Sequence, residues 1–198
     1  LYAAASASTV DGGAGRDSIV GGASADALSG GAGNDTITSG GGNDTISGGD
    51  GNDSLTLSAA GTAASLDGGA GNDTIDIGAN ASANQKISGG DGDDTVKMTN
   101  ASVTALNAAS VASLNTMNAN ISGVEYVEIT GDLDQTYDVG RFANISKLIL
   151  NGINGNESII GLAATNEINL VAAEASTYTF ALADATGAAD SLSFKLSS

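Results

Sequence analysis

The chain has 198 residues, 23 acidic against 6 basic side chains and a net charge of −17, with no His, Cys, Trp or Pro. That charge repels nucleic acid and anionic membrane surfaces, and the missing residue types exclude disulfides, thiol or imidazole catalysis and Cys/His zinc sites. No run approaches the roughly 18 apolar residues of a membrane span, and a start at Leu1 without a basic-then-apolar leader reads as a piece of a longer protein.

Residues 1–100 hold 13 of the 18 Asp, 22 of the 29 Gly and none of the 5 Glu. Such a composition usually means a flexible linker, but this segment is periodic. From Gly12 it reads GGAGRDSIV, GGASADALS, GGAGNDTIT, SGGGNDTIS and GGDGNDSLT, followed by GGAGNDTID at Gly68 and GGDGDDTVK at Gly89. The pattern is G-G-x-G-x-D-x-U-x with U aliphatic, a nonapeptide that builds calcium-binding parallel β-solenoids. Val10, Leu66 and Ile87 each stand two residues before a Gly-Gly and keep the phase. With Ile19, Leu28, Ile37, Ile46, Leu55, Ile75 and Val96 they fill every U position, although Ile, Leu and Val make up only 38 of the 198 residues.

The glycines permit a tight turn with positive φ and close backbone approach, and the x-U-x remainder suits a strand that sends U to one face. A turn plus a strand is half a coil. Two nonapeptides therefore close a circuit of two parallel sheets, each circuit advancing about 4.8 Å. The expected fold is all-β, a right-handed parallel β-roll or β-helix whose core is a thin aliphatic layer.

The Asp in each unit is a hard oxygen donor with a stem short enough for a cramped turn, and Ca²⁺ takes six or more such oxygens. Asp also favours turns by itself, but that does not explain one fixed position in seven units. Alternate units fall on opposite edges. One edge carries Asp17, Asp35, Asp53, Asp73 and Asp94, all in turns with three glycines, and is expected to hold about four ions between coils. The other carries only Asp26 and Asp44, in turns where Ser24 and Ser39 replace a glycine. It then passes into Leu57–Asp67 and Ile77–Ser88, which lack the motif. Residues 12–97 carry a net −9. Stacked carboxylates about 5 Å apart repel without cations, so the segment is expected to fold only as calcium binds.

After Lys97 the composition turns to Ala, Ser, Asn, Thr and Ile. Val103, Leu106, Ser110, Val111, Leu114 and Met117 follow helical spacing, so a short helix is predicted near 101–118, capped by Asn100 or Ser102. Strands are predicted at Val124–Thr130, Thr136–Val139, Lys147–Asn151, Glu157–Leu162, Glu167–Val171, Thr177–Leu182 and Ser191–Leu196. Alternate strands align Val127, Leu148 and Ile168, and likewise Tyr137, Ile159 and Phe180. That spacing suggests the solenoid continuing with coils of about twenty residues; a small β-sandwich is the alternative. The organisation expected is a metal-binding roll over 1–97, a connecting segment over 98–120 and a metal-poor continuation over 121–198. Tyr126, Tyr137, Phe142, Tyr178, Phe180 and Phe194 would give the latter a bulkier core.

Other motifs carry little. Asn34-Asp35-Thr36 matches a glycosylation acceptor as a by-product of the repeat, Gly12–Gly15 lacks the helix of a nucleotide site, and Asp93 and Asp94 lack a substrate cleft. Residues 12–97 resemble the RTX (repeats-in-toxin) family, which implies calcium-loaded β-rolls exported to an extracellular, calcium-rich setting. ISGVEYVEITG at 121–131 and ATGAADSLSFKLSS at 185–198 resemble segments of RTX-bearing bacterial surface-layer proteins. The resemblance implies a non-catalytic structural segment at the cell surface, with several Ca²⁺ ions, self-association in a lattice and a cell-surface polysaccharide as a further partner. The alternatives are the secretion and folding module of an exported enzyme, or an adhesin or carbohydrate-binding module.

Overall fold

A computed structural model of the chain describes residues 1–59, 63–82, 84–99, 101–102, 120–131, 136–138, 145–151, 157–162, 167–171, 178–182 and 193–197. The glycine-rich half forms β1 (Thr9–Ala14), β2 (Ser18–Val20), β3 (Ala27–Ala32), β4 (Thr36–Thr38), β5 (Thr45–Asp50), β6 (Ser54–Thr56), β7 (Ser65–Ala70), β8 (Thr74–Gly78), β9 (Lys86–Asp91) and β10 (Thr95–Thr99). Beyond it lie β11 (Ile121–Ser122), β12 (Tyr126–Thr130), β13 (Thr136–Asp138), β14 (Lys147–Asn151), β15 (Glu157–Leu162), β16 (Glu167–Val171), β17 (Tyr178–Leu182) and β18 (Ser193–Ser197).

The fold is a parallel β-solenoid. Odd strands β1 to β11 make a six-stranded sheet, and the even strands make a nine-stranded sheet in the order β18-β16-β14-β12-β10-β8-β6-β4-β2. The U residues stack in register. Val10, Leu28, Ile46, Leu66 and Ile87 run up one sheet, while Ile19, Ile37, Leu55, Ile75 and Val96 run up the other. All are buried except Val10, which is half-buried in the first coil.

The two half-coils are not equivalent. Strands β1, β3, β5, β7 and β9 have six residues and continue through the first three residues of the turn, whereas β2, β4 and β6 have three. The core also widens along the axis. Two residues after each U, the even strands present Gly21, then Ser39, then the buried Leu57, Ile77, Met98, Ile129 and Leu150.

The nine-stranded sheet runs without a break from β2 to β18, pairing Val127 with Leu148, Leu148 with Ile168 and Ile168 with Phe194. A separate three-stranded sheet, β13-β15-β17, aligns Tyr137, Ile159 and Phe180. Both rows match the spacing read from the sequence. Only the first two residues of the expected helix, Ala101 and Ser102, are described as helical, and 103–119 lie outside the described residues. Ser102 is buried, and its hydroxyl donates to the Gly78 carbonyl (2.8 Å) and accepts from Ala81 N–H (3.1 Å). Tyr126 departs from its expected place in the core: it is half-buried beneath Lys147, whose Nζ is 5.9 Å from the ring centroid. Phe142 and the side chains of Tyr137, Tyr178, Phe180 and Phe194 lie outside the described residues.

Candidate metal centre

The five Asp residues expected on one edge form a continuous ladder there. Asp17 N–H donates to Asp35 Oδ1 (2.7 Å), Asp35 N–H to Asp53 Oδ1 (2.7 Å), Asp53 N–H to Asp73 Oδ1 (2.8 Å) and Asp73 N–H to Asp94 Oδ1 (2.7 Å). Each carboxylate thus ties down the turn that precedes it. The neighbouring position ties the turns in the opposite sense. Asn52 N–H donates to Asn34 Oδ1 (3.0 Å), Asn72 N–H to Asn52 Oδ1 (2.9 Å) and Asp93 N–H to Asn72 Oδ1 (3.1 Å).

The other oxygen of each Asp on this edge is left over. Oδ2 of Asp17, Asp35, Asp53, Asp73 and Asp94 is buried without a hydrogen-bond partner. A charged oxygen left so is costly to bury unless a cation compensates it. Each Oδ2 points at the first glycine of its own turn, where the carbonyl of the next coil also arrives. A β-carbon on Gly12 would stand 2.8 Å from Asp17 Oδ2 and 2.5 Å from the Gly30 carbonyl oxygen. Gly30, Gly48, Gly68 and Gly89 repeat the arrangement with Asp35, Asp53, Asp73 and Asp94 and with the carbonyls of Gly48, Gly68, Gly89 and Gly123. The glycines at the second and fourth positions of the motif serve a different need, positive φ, as at Gly31 (104°) and Gly33 (128°).

Burial is the main force on the carboxyls of Asp53, Asp73 and Asp94. It pushes the Asp73 carboxyl up to about 6, with the charges of Asp94 and Asp53 adding to the rise. Burial also raises Asp53 and Asp94, helped by Asp35 in the first case and by Glu125, Asp93 and Asp91 in the second.

The opposite edge is built differently. Asp26 N–H donates to Asp44 Oδ1 (2.9 Å) and Ser8 N–H to Asp26 Oδ1 (2.8 Å), so the ladder begins in the same way. Asp26 Oδ2, however, accepts from Gly22 N–H (2.7 Å) and has its partner within the turn. Asp44 Oδ2 is buried without one, and burial raises its carboxyl. The next two coils put Ala64 and Gln85 at the Asp position, both buried. Gln85 closes its own loop, accepting from Ser82 N–H at Oε1 (2.9 Å) and donating from Nε2 to the Asn80 carbonyl (2.6 Å). A neutral amide there does what a carboxylate and an ion would do opposite.

No three carboxylates converge on one point among the described residues. Any cation on this ladder would therefore draw on one or two carboxylate groups and fill its shell with main-chain carbonyls. Those are the hard donors Ca²⁺ prefers, and its six to eight ligands at 2.3–2.6 Å suit a turn of flexible glycines. The orphaned Oδ2 atoms and the glycine cradles fit such an ion. Residues 2–37, 20–55, 65–81 and 82–97 match the RTX calcium-binding nonapeptide repeat, in four copies. These residues are RTX calcium-binding repeats. No match to a curated protein is significant.

The RTX pattern in the sequence pointed to the Asp residues but not to the partners that position them. The Asn ladder was hidden because Asn-Asp reads equally as a turn preference. Gln85 was hidden because it lies in a loop without the motif. Glu125 was missed as well: its Oε2 accepts from Asp94 N–H (2.9 Å) and so occupies the next rung of the ladder, beyond the matched residues. The signal available for it was that Glu125 is the first Glu of the chain.

Proposed function

We propose that the chain is a calcium-stiffened structural segment of a secreted bacterial surface-layer protein, folding as calcium binds and self-associating in a lattice. The observation that carries the calcium half of this reading is the column of five buried Oδ2 atoms without hydrogen-bond partners. Asp17, Asp35, Asp53, Asp73 and Asp94 would hold the ions on that edge, and Asp26 and Asp44 would supply at most one further site. Bound calcium would supply the positive charge that lets like carboxylates stack, so ordering and binding become one equilibrium. RTX repeat proteins are typically secreted, and among the described residues no helix is long and apolar enough to cross a membrane.

The lattice half rests on composition and on the likeness of 121–131 and 185–198 to surface-layer segments. The unbroken nine-stranded sheet supports it by joining the calcium-binding coils mechanically to the strands beyond. A cell-surface polysaccharide is the further partner in this reading, and no catalytic role is assigned to the chain. Calcium titration followed by far-UV circular dichroism and light scattering together tests both halves. Compaction and then growth in mass are expected. Compaction without growth would remove the lattice, and neither would remove the reading altogether.

A further inference from the structure

The last glycine-rich turn, Gly89 to Asp94, is followed in the column by a turn of another kind. Ile87 and Ser88 pair with Ile121 and Ser122, and Thr95 pairs with Tyr126. The six residues 89–94 are therefore matched by three, Gly123, Val124 and Glu125. Gly123 has a φ of 57°, and its carbonyl oxygen crowds the α-carbon of Gly89 as the carbonyls of Gly30, Gly48, Gly68 and Gly89 crowd the glycines before them. Asp94 is fully buried (0% exposed) and its Oδ2 has no hydrogen-bond partner. That atom is aimed at the same point beside Gly89. Asp91, Asp93 and Glu125 add negative charge around it.

We propose that the ion column does not end with the nonapeptides: Asp94, the Gly123 carbonyl and Glu125 form a closing divalent-cation site outside the repeat. The inference deepens the calcium reading above and rests on it. The turn is three residues shorter, yet the register places Glu125 opposite Asp94, where the upstream coils place their Asp. One carboxylate oxygen, Oε2, is used on Asp94 N–H; the carboxylate keeps a second oxygen and its charge for the ion. The site joins the repeat half of the chain to the strand after Glu125, so the ion would fasten residues 89–94 to β12 across the segment between them.

The test compares bound calcium per chain, by equilibrium dialysis and atomic emission, for the 198-residue chain and its Glu125→Gln variant. Gln keeps an oxygen for Asp94 N–H but loses the charge. The expected result is one ion fewer per chain, or one site weakened at least tenfold, with the same circular dichroism at saturating calcium. An unchanged number of ions with unchanged affinity overturns the proposal. Should the variant fail to fold, an anomalous-scattering map of wild-type crystals grown with calcium decides. Density between 89–94 and 123–125 supports the site; density along the upstream turns with none there overturns it. A wild-type chain that binds no calcium overturns both this site and the calcium reading beneath it.

Discussion

The two edges of the roll start from the same nonapeptide and hold their coils together by opposite means. On one, Asp17 to Asp94 repeat a carboxylate at every coil, and each keeps a buried oxygen that no protein group satisfies. On the other, the corresponding positions run Asp26, Asp44, Ala64 and Gln85, and the demand for charge disappears within four coils. The accompanying core position changes from Gly21 and Ser39 to Leu57 and Ile77. Where the sheet gains an apolar side chain it no longer needs an ion, because buried aliphatic surface supplies cohesion at about 25 cal/mol per Å². One edge is therefore expected to be sensitive to its ionic surroundings along its whole length, and the other only as far as Asp44.

Chelation should separate the edges most. Removing divalent cations leaves stacked carboxylates with no counter-charge, and most of the β signal of residues 12–97 is expected to vanish from the far-UV spectrum. A compact chain in excess chelator would contradict this.

A single methyl group on the charged edge comes next. In Gly48→Ala the new β-carbon would strike Asp53 Oδ2 and the Gly68 carbonyl. The calcium midpoint should rise at least tenfold, a shift of about 1.4 kcal/mol or more. Gly41→Ala on the opposite edge is the control, since the nearest atom there is 3.5 Å away; it should change little.

Asp35→Ala against Asp26→Ala sharpens the same contrast. Losing Asp35 strands the Asp17 N–H and also removes an oxygen free to take a cation, whereas losing Asp26 strands the Ser8 and Gly22 N–H groups but removes no such oxygen, so the difference should appear only with calcium bound. Thermal melts in calcium should show the Asp35 variant the less stable of the two. Equal melting temperatures and equal calcium midpoints would mean the edges are equivalent.

Acidity should partly replace calcium. Folded-state carboxyls are raised, Asp73 to about 6 and Asp53, Asp94 and Asp44 in the same direction, above an ordinary value of 3.8. The folded chain then binds more protons than the unfolded one between those values. Stability without metal should grow as pH falls through about 6, be complete below about 4, and be lost as pH rises. Chelated protein melting higher at pH 7.5 than at pH 4.5 would contradict it.

The smallest effect belongs to the neutral edge. Gln85→Ala removes two hydrogen bonds within its loop and should cost about 1–2 kcal/mol in thermal stability, with no change in calcium midpoint. A shift in that midpoint would mean Gln85 communicates with the charged column.

Much of this was legible from residue order. The nine-residue period placed all ten U residues in two stacked rows, and the 21- and 20-residue intervals from Val127 to Leu148 to Ile168 foresaw true ladder partners. Tyr126 was misplaced because alternation tells which residues share a face, not which face meets the core when a lysine such as Lys147 can cover the other. The ladder partners Asn34, Asn52 and Asn72 were invisible for a related reason: a periodic residue type does not reveal the coil to which its side chain reaches.

The amino-acid sequence alone determined the coil, its period, the column of carboxylates and the loss of the motif on the second edge, because all four are matters of spacing along the chain. Only the tertiary structure decided which carboxylate oxygen each backbone N–H takes and which is left buried. It alone also decided that Gly123 and Glu125, 29 and 31 residues after Asp94, follow it on that edge. Those outcomes depend on how turns of unequal length are brought into register by the sheet, and residue order does not encode that distance.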